Sequence, residues 1–130
     1  MPFPPTEQTE TRDILIVDDD RTVRNMLARI LRHHGYQVVT AEDGSRVVDL
    51  CLRFEPRLIL LDMMIPGADG AQIIRELRSR FGDQSPRVAL VTANEIPGEV
   101  LSELGVVAYL QKPFTLESIV ALAKKYAAGD

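Results

Sequence analysis

Leu58-Ile59-Leu60-Leu61-Asp62-Met63-Met64-Ile65-Pro66-Gly67-Ala68-Asp69-Gly70 is the stretch that decides the fold. Four branched apolar residues run without a polar interruption and stop at Asp62, the pattern of a strand covered on both faces inside a parallel sheet. Pro66, Gly67 and Gly70 then force a turn, which puts Asp62 where strand gives way to loop. In open α/β sheets, ligands bind in the crevice beyond the carboxyl ends of the strands. A carboxylate there is a candidate site, although an isolated one is more often a turn or capping residue. Its company elsewhere in the chain decides.

Outward from this stretch the same grammar repeats. Upstream, Asp13-Ile14-Leu15-Ile16-Val17-Asp18-Asp19-Asp20 is a second apolar run ending in carboxylates. Val23, Leu27, Ile30 and Leu31 then share a helix face, and His33 and His34 sit in its last turn before Gly35, where cations suit the helix dipole. Neither histidine has a partner nearby in sequence, so both read as structural or solvated. Tyr36–Thr40 reads as a short strand, followed by a helix with Val47, Val48, Cys51 and Leu52 inward. Downstream, Ala71, Ile74, Leu77 and Phe81 describe a helix closed by Gly82 and Pro86. Pro86–Thr92 is the fourth strand. Pro97 fits the first turn of a short helix with Val100, Leu101 and Leu104 as its stripe, ended by Gly105. Val106–Leu110 is the fifth strand, and Leu116, Ile119, Val120 and Ala123 mark the last helix. Five strands alternating with five helices predict an α/β, doubly wound domain with a five-stranded parallel sheet.

Composition narrows the function classes. A chain of 130 residues is one domain with room for a core, and a net charge of −4 disfavours nonspecific contact with nucleic acid. No apolar run approaches the ~20 residues that cross a bilayer. Residues 1–11, with three prolines and no basic start or apolar centre, read as a flexible N-terminal arm rather than a signal peptide. Cys51 is the only cysteine, so there is no disulfide framework, and with the two histidines it makes no zinc spacing. The cytoplasm is the expected compartment.

The strand ends carry the chemistry. The first supplies Asp18 and Asp19, the third Asp62, the fourth Thr92, and the fifth leads to Lys112. In a parallel sheet these ends share one edge. Three carboxylates in one crevice repel unless a cation neutralises them, and hard oxygen ligands with room for water suit Mg²⁺. A hydroxyl and an ammonium opposite supply donors to an anion. That is equipment for placing a phosphoryl group on a carboxylate.

Four motifs in this order, Ile14-Leu15-Ile16-Val17-Asp18-Asp19-Asp20, Leu60-Leu61-Asp62-Met63-Met64-Ile65-Pro66-Gly67-Ala68-Asp69-Gly70, Val91-Thr92-Ala93 and Tyr109-Leu110-Gln111-Lys112-Pro113-Phe114, resemble a response-regulator receiver domain over roughly residues 12 to 127. The resemblance implies the flavodoxin-like strand order 2-1-3-4-5, with 12–127 as the receiver domain and 128–130 as a tail. It implies that Asp62 is the phosphoacceptor, taking its phosphoryl group from a histidine kinase or phosphotransfer protein. Asp19, Asp62 and the backbone carbonyl of Met64 resemble Mg²⁺ ligands, and Asp18 the carboxylate that holds a metal-bound water. Lys112 resembles the lysine that pairs with phosphoryl oxygens, Pro113 the proline of its loop, and Thr92 with Tyr109 the switch pair. A downstream partner is expected at the face of the fourth helix, fifth strand and fifth helix. Asp20 and Asp69 read as helix-start residues. The chain departs from the family pattern at Ile65 and in a slightly short interval from Thr92 to Lys112.

The expected function is therefore a phosphorylation-dependent switch in two-component signalling. It is not an enzyme, beyond self-catalysed phosphotransfer and slow autodephosphorylation. An Mg²⁺-dependent phosphohydrolase of the haloacid-dehalogenase type would carry a second Asp two residues after the first, where this chain has Met64. A receiver-like binding module that is never phosphorylated usually loses an acid or the lysine, and all are kept here. With no output segment after residue 127, the chain reads as a stand-alone receiver or as one cut from a longer regulator or hybrid kinase. Neither direct nucleic-acid nor membrane contact is expected.

Overall fold

The run at Leu58–Leu61 is the middle strand of a five-stranded parallel sheet in the computed structural model, which describes residues 12–65 and 68–127. The expected arm (1–11), the turn residues Pro66 and Gly67, and the tail (128–130) lie outside the described residues. The strands are β1 (Ile14–Val17), β2 (Val38–Ala41), β3 (Leu58–Leu61), β4 (Arg87–Thr92) and β5 (Ala108–Gln111), in the order β2-β1-β3-β4-β5. The helices are α1 (Arg21–His33), α2 (Val47–Phe54), α3 (Gly70–Phe81), α4 (Gly98–Leu104) and α5 (Leu116–Tyr126). The doubly wound, flavodoxin-like architecture is as expected.

Side chains alternating along each strand feed two cores. Leu15 and Val17 of β1, Ile59 and Leu61 of β3, and Val88 and Leu90 of β4 pack with α2, α3 and Leu104 of α4. Ile14, Ile16, Leu58, Leu60, Ala89 and Val91 point the other way, onto α1 and α5. That two-sided burial is why these strands read as unbroken apolar runs.

Local chemistry starts and stops the helices. The Asp20 carboxylate accepts from the amides of Thr22 and Val23, and Asp69 accepts from Ala71, so both cap helices as expected. Gly70 is packed against Met63, whose Sδ a Cβ would approach to 2.6 Å. His34 Nδ1 lies 3.0 Å from the carbonyl of Ile30 at the end of α1.

Several expectations need correction. Leu52 does not face inward: it is 53 % exposed, and Leu50 and Phe54 fill the core beside Val47 and Cys51. The sheet selects the 47-50-51-54 face of α2, and a count of apolar residues cannot separate that face from its neighbour. Val100 and Leu116 are likewise exposed, while Leu122 goes inside α5. β2 begins at Val38 rather than Tyr36, because the Tyr36 amide still bonds to Leu31 O at the end of α1. β4 begins at Arg87 rather than Pro86, which has no amide N–H for a ladder. β5 begins at Ala108 rather than Val106 and runs on through Gln111. Pro97 is the cap before α4 instead of its first turn. Unexpectedly, Met64–Ile65 pairs antiparallel with Ala68–Asp69.

Leu50→Ala should therefore cost roughly 2–5 kcal/mol of unfolding free energy, as core truncations do. Leu52→Ala, two residues away, should stay within about 0.5 kcal/mol of wild type. Urea melts of the two variants check this, and comparable losses would put the α2 face the other way round.

Candidate functional site

Strand register brings the acids together. Val17 of β1 is paired with Leu61 of β3, and the Asp62 amide bonds to Val17 O at 3.0 Å, so Asp18 and Asp62 leave adjacent strand ends side by side. Leu61 is paired with Leu90, two residues before Thr92, and Thr92 is paired with Gln111. The Lys112 amide then bonds to Thr92 O at 2.8 Å, which carries the lysine over the same sheet edge.

There the Lys112 ammonium bridges the two acids, 2.7 Å from Asp18 Oδ2 and 3.0 Å from Asp62 Oδ2. Asp18 is 2 % exposed and Asp62 7 %, so this pair is held largely away from water. Their other oxygens are also occupied: Asp18 Oδ1 accepts from the Asp20 amide at 2.9 Å, and Asp62 Oδ1 from the Met64 amide at 3.0 Å. Burial alone would lower the Lys112 pKa. Hydrogen bonds to Asp18 and then Asp62, with the charges of both, outweigh it and hold the pKa above its ordinary value. The ion pairs thus stabilise the fold through neutral pH. The lysine's share is in place below its ordinary ~10.4 and is lost as pH climbs through the raised value.

Asp19 is exposed, and one ligand oxygen from each of Asp18, Asp19 and Asp62 lies within 4.8 Å of the others. Three carboxylates against one ammonium leave two negative charges, which one divalent cation balances. The hard oxygen set fits Mg²⁺. Thr92 is fully buried, and its Oγ1 accepts from the Asn94 amide at 3.4 Å. Tyr109 is half-buried. Its hydroxyl is turned to the β4–α4 loop, donating to Asn94 O at 2.7 Å and accepting from the Ile96 amide at 3.2 Å. The Met64 side chain is 63 % exposed beside Asp62. The Lys112–Pro113 peptide is cis.

Two contributors escaped sequence reading. The Met64 amide orients Asp62, and Arg24 donates through Nη1 to Asp18 O at 2.9 Å. The second had a usable signal: Arg24 is six residues after Asp18, in the opening turns of the helix that follows. Cys51 lies far from this chemistry, as a buried core thiol whose pKa burial pushes up to about 12. Among the described residues, no helix is long and apolar enough to cross a membrane.

Residues 14–124 match the family described as "Response regulator receiver domain". Among curated relatives, the response regulator MprA of Mycobacterium sp. strain KMS is 41 % identical over 109 residues, covering 83 % of this chain and 47 % of the relative. MprA of Mycolicibacterium vanbaalenii matches to the same extent, so the chain spans about half the length of the curated relatives it matches. Among solved structures, the Vibrio cholerae chemotaxis protein CheY4 superposes with a TM-score of 0.79 at 23 % identity, over 89 % of this chain and 98 % of that one. The Thermotoga maritima response regulator TrrA, in complex with Mg²⁺-BeF, gives 0.77 at 29 % identity, over 88 % and 98 %.

Lys112→Ala should leave two buried carboxylates facing each other. We expect a loss of about 1–3 kcal/mol without metal, and a larger rise in melting temperature on adding Mg²⁺ than wild type shows. Thermal melts in EDTA and in Mg²⁺ read both effects. A variant that matches wild type in both would mean that the ammonium does not hold these acids.

Proposed function

The chain belongs to the response regulator receiver domain family of two-component signalling, and on that premise we propose that it is a phosphorylation switch whose phosphoacceptor is Asp62. The donor is a histidine kinase or phosphotransfer protein. The observation that carries this reading is the Lys112 ammonium set between Asp18 and Asp62 at the sheet edge, with Asp19 in reach and Thr92 behind. The switch occupies residues 12–127 and works in the cytoplasm, without direct contact to nucleic acid or membrane.

Asp62 attacks phosphorus in line with the donor imidazole. The new P–O bond forms as the P–N bond breaks, and nitrogen leaves with its electron pair. Lys112 passes from the Asp62 carboxylate to an oxygen of the incoming group, so its charge follows the charge being transferred. Asp19, Asp62 and the backbone carbonyl of Met64 would hold Mg²⁺, with Asp18 acting through a water. The metal's contribution is positive charge against the phosphoryl oxygens. TrrA, a relative solved in complex with Mg²⁺-BeF, supports the presence of the metal by similarity.

The signal leaves through Thr92 and Tyr109. Thr92 turns its hydroxyl toward the phosphoryl group, which pulls on the loop that Tyr109 pins at Asn94 and Ile96. Residues 93–105 change their order, and a downstream partner reads the face of α4, β5 and α5, where Val100 and Leu116 are exposed. The domain is no enzyme for free substrates, and it loses its own phosphoryl group slowly. Hydrolysis needs a water in line opposite the Asp62 oxygen, and Met64 and Asn94 flank that approach. The Met64 side chain offers bulk and no strong hydrogen bond to hold a water.

Asp62 should be the sole site labelled by a small phosphodonor or a phosphorylated kinase, with labelling lost in Asp62→Asn and in EDTA. Undiminished label in Asp62→Asn removes Asp62 from this role, and undiminished label in EDTA removes the metal from the reaction. Met64→Asn should shorten the acyl-phosphate lifetime several-fold, roughly the size of a modest acid–base or positioning effect. A decay assay on purified phosphoprotein measures it, and an unchanged or longer lifetime refutes the role given to Met64.

A further inference from the structure

We infer that Arg78 of α3 is a clamp on the far end of α4 that holds residues 93–105 in place. This positioning role rests on the switch reading above. Arg78 Nη1 donates to the carbonyl of Leu104, and Nη2 donates to that of Gly105 at 3.0 Å. These are the carbonyls of the last residue of α4 and of its C-cap, where the helix dipole concentrates negative charge. A guanidinium fork meets two such acceptors at once, which an ammonium cannot do with the same geometry.

α4 has few other supports. It is seven residues long, and Pro97 at its start gives no side-chain cap. Leu104 is buried, Leu101 is half-buried and Val100 is exposed. A helix that short needs tertiary contacts to persist. Gly105 suits the fork: it sits at φ +67°, and a Cβ there would lie 3.0 Å from Arg78 Nη1 and 3.2 Å from Nη2. The segment is thus pinned at two ends by different elements. Tyr109 of β5 holds Asn94 and Ile96, and Arg78 of α3 holds Leu104 and Gly105.

A ligand shifts a conformational equilibrium only through bonds that differ between its states. If phosphorylation reorders 93–105, the Arg78 bonds oppose it, and removing them raises the fraction of chains already competent to switch. Arg78 is then a brake, set outside the phosphorylation chemistry.

The test compares wild type, Arg78→Met and Arg78→Lys by hydrogen exchange, without ligand and then with beryllofluoride and Mg²⁺ as the phosphoryl stand-in. Without ligand, amides 102–105 should exchange about tenfold faster in Arg78→Met, while β1, β3 and β4 keep wild-type protection. Arg78→Lys should fall between, because it keeps the charge and loses the fork. Beryllofluoride should half-saturate Arg78→Met at about fivefold lower concentration than wild type. Unchanged exchange at 102–105 overturns the clamp, and Arg78→Lys indistinguishable from wild type overturns the fork. Faster exchange with wild-type beryllofluoride affinity overturns the brake. If 93–105 in wild type does not respond to beryllofluoride, the switch reading and the brake fall together, while the ligand-free exchange still judges the clamp.

Discussion

Two carboxylates buried side by side at neighbouring strand ends set the terms for the rest of this sheet edge. Like charges this close, with little water between them, repel strongly unless a cation meets both. The Lys112 ammonium does so at hydrogen-bond distance, and it arrives there because its own amide continues the β4–β5 ladder from Thr92 O. The charge balance of the edge therefore depends on the register of strands that are far apart in sequence. It stays incomplete even so: the third acid, Asp19, leaves the cluster two charges short of neutral, which is why it invites a divalent cation.

The same edge is where the molecule is least evenly supported. Below it, β1, β3 and β4 are buried on both faces by α1, α5, α2 and α3. Above it, Thr92 is followed by exposed residues and then by a seven-residue helix, tied back by the Tyr109 hydroxyl and the Arg78 guanidinium. The sheet side of the edge is thus held by two cores, and the α4 side by a few named contacts.

Where sequence reading went astray, the cause was the choice among nearly equivalent faces and frames. On α2, Leu50 and Leu52 are equally apolar, and only the sheet's position makes one core and the other surface. Tyr36 and Val106 carry strand-like side chains, but helix endings just before them delay pairing until Val38 and Ala108. The pairing of Met64–Ile65 with Ala68–Asp69 gave no signal, because two-residue strands have no periodicity to read.

The class of fold follows from the chain's patterning alone, since unbroken apolar runs ending in polar residues and alternating with 3.6-residue periodicity admit few other layers. The same strand-end pattern put Asp18, Asp19, Asp62, Thr92 and Lys112 at one sheet edge, where a parallel sheet must align them. Which groups touch is a matter of tertiary packing. Lys112 bonds to Asp18 and Asp62, Met64 lends Asp62 an amide, and Arg24 and Arg78 reach carbonyls. Those contacts depend on register, rotamer and helix placement. The lysine bonds join segments up to 94 residues apart, whose packing no local pattern encodes.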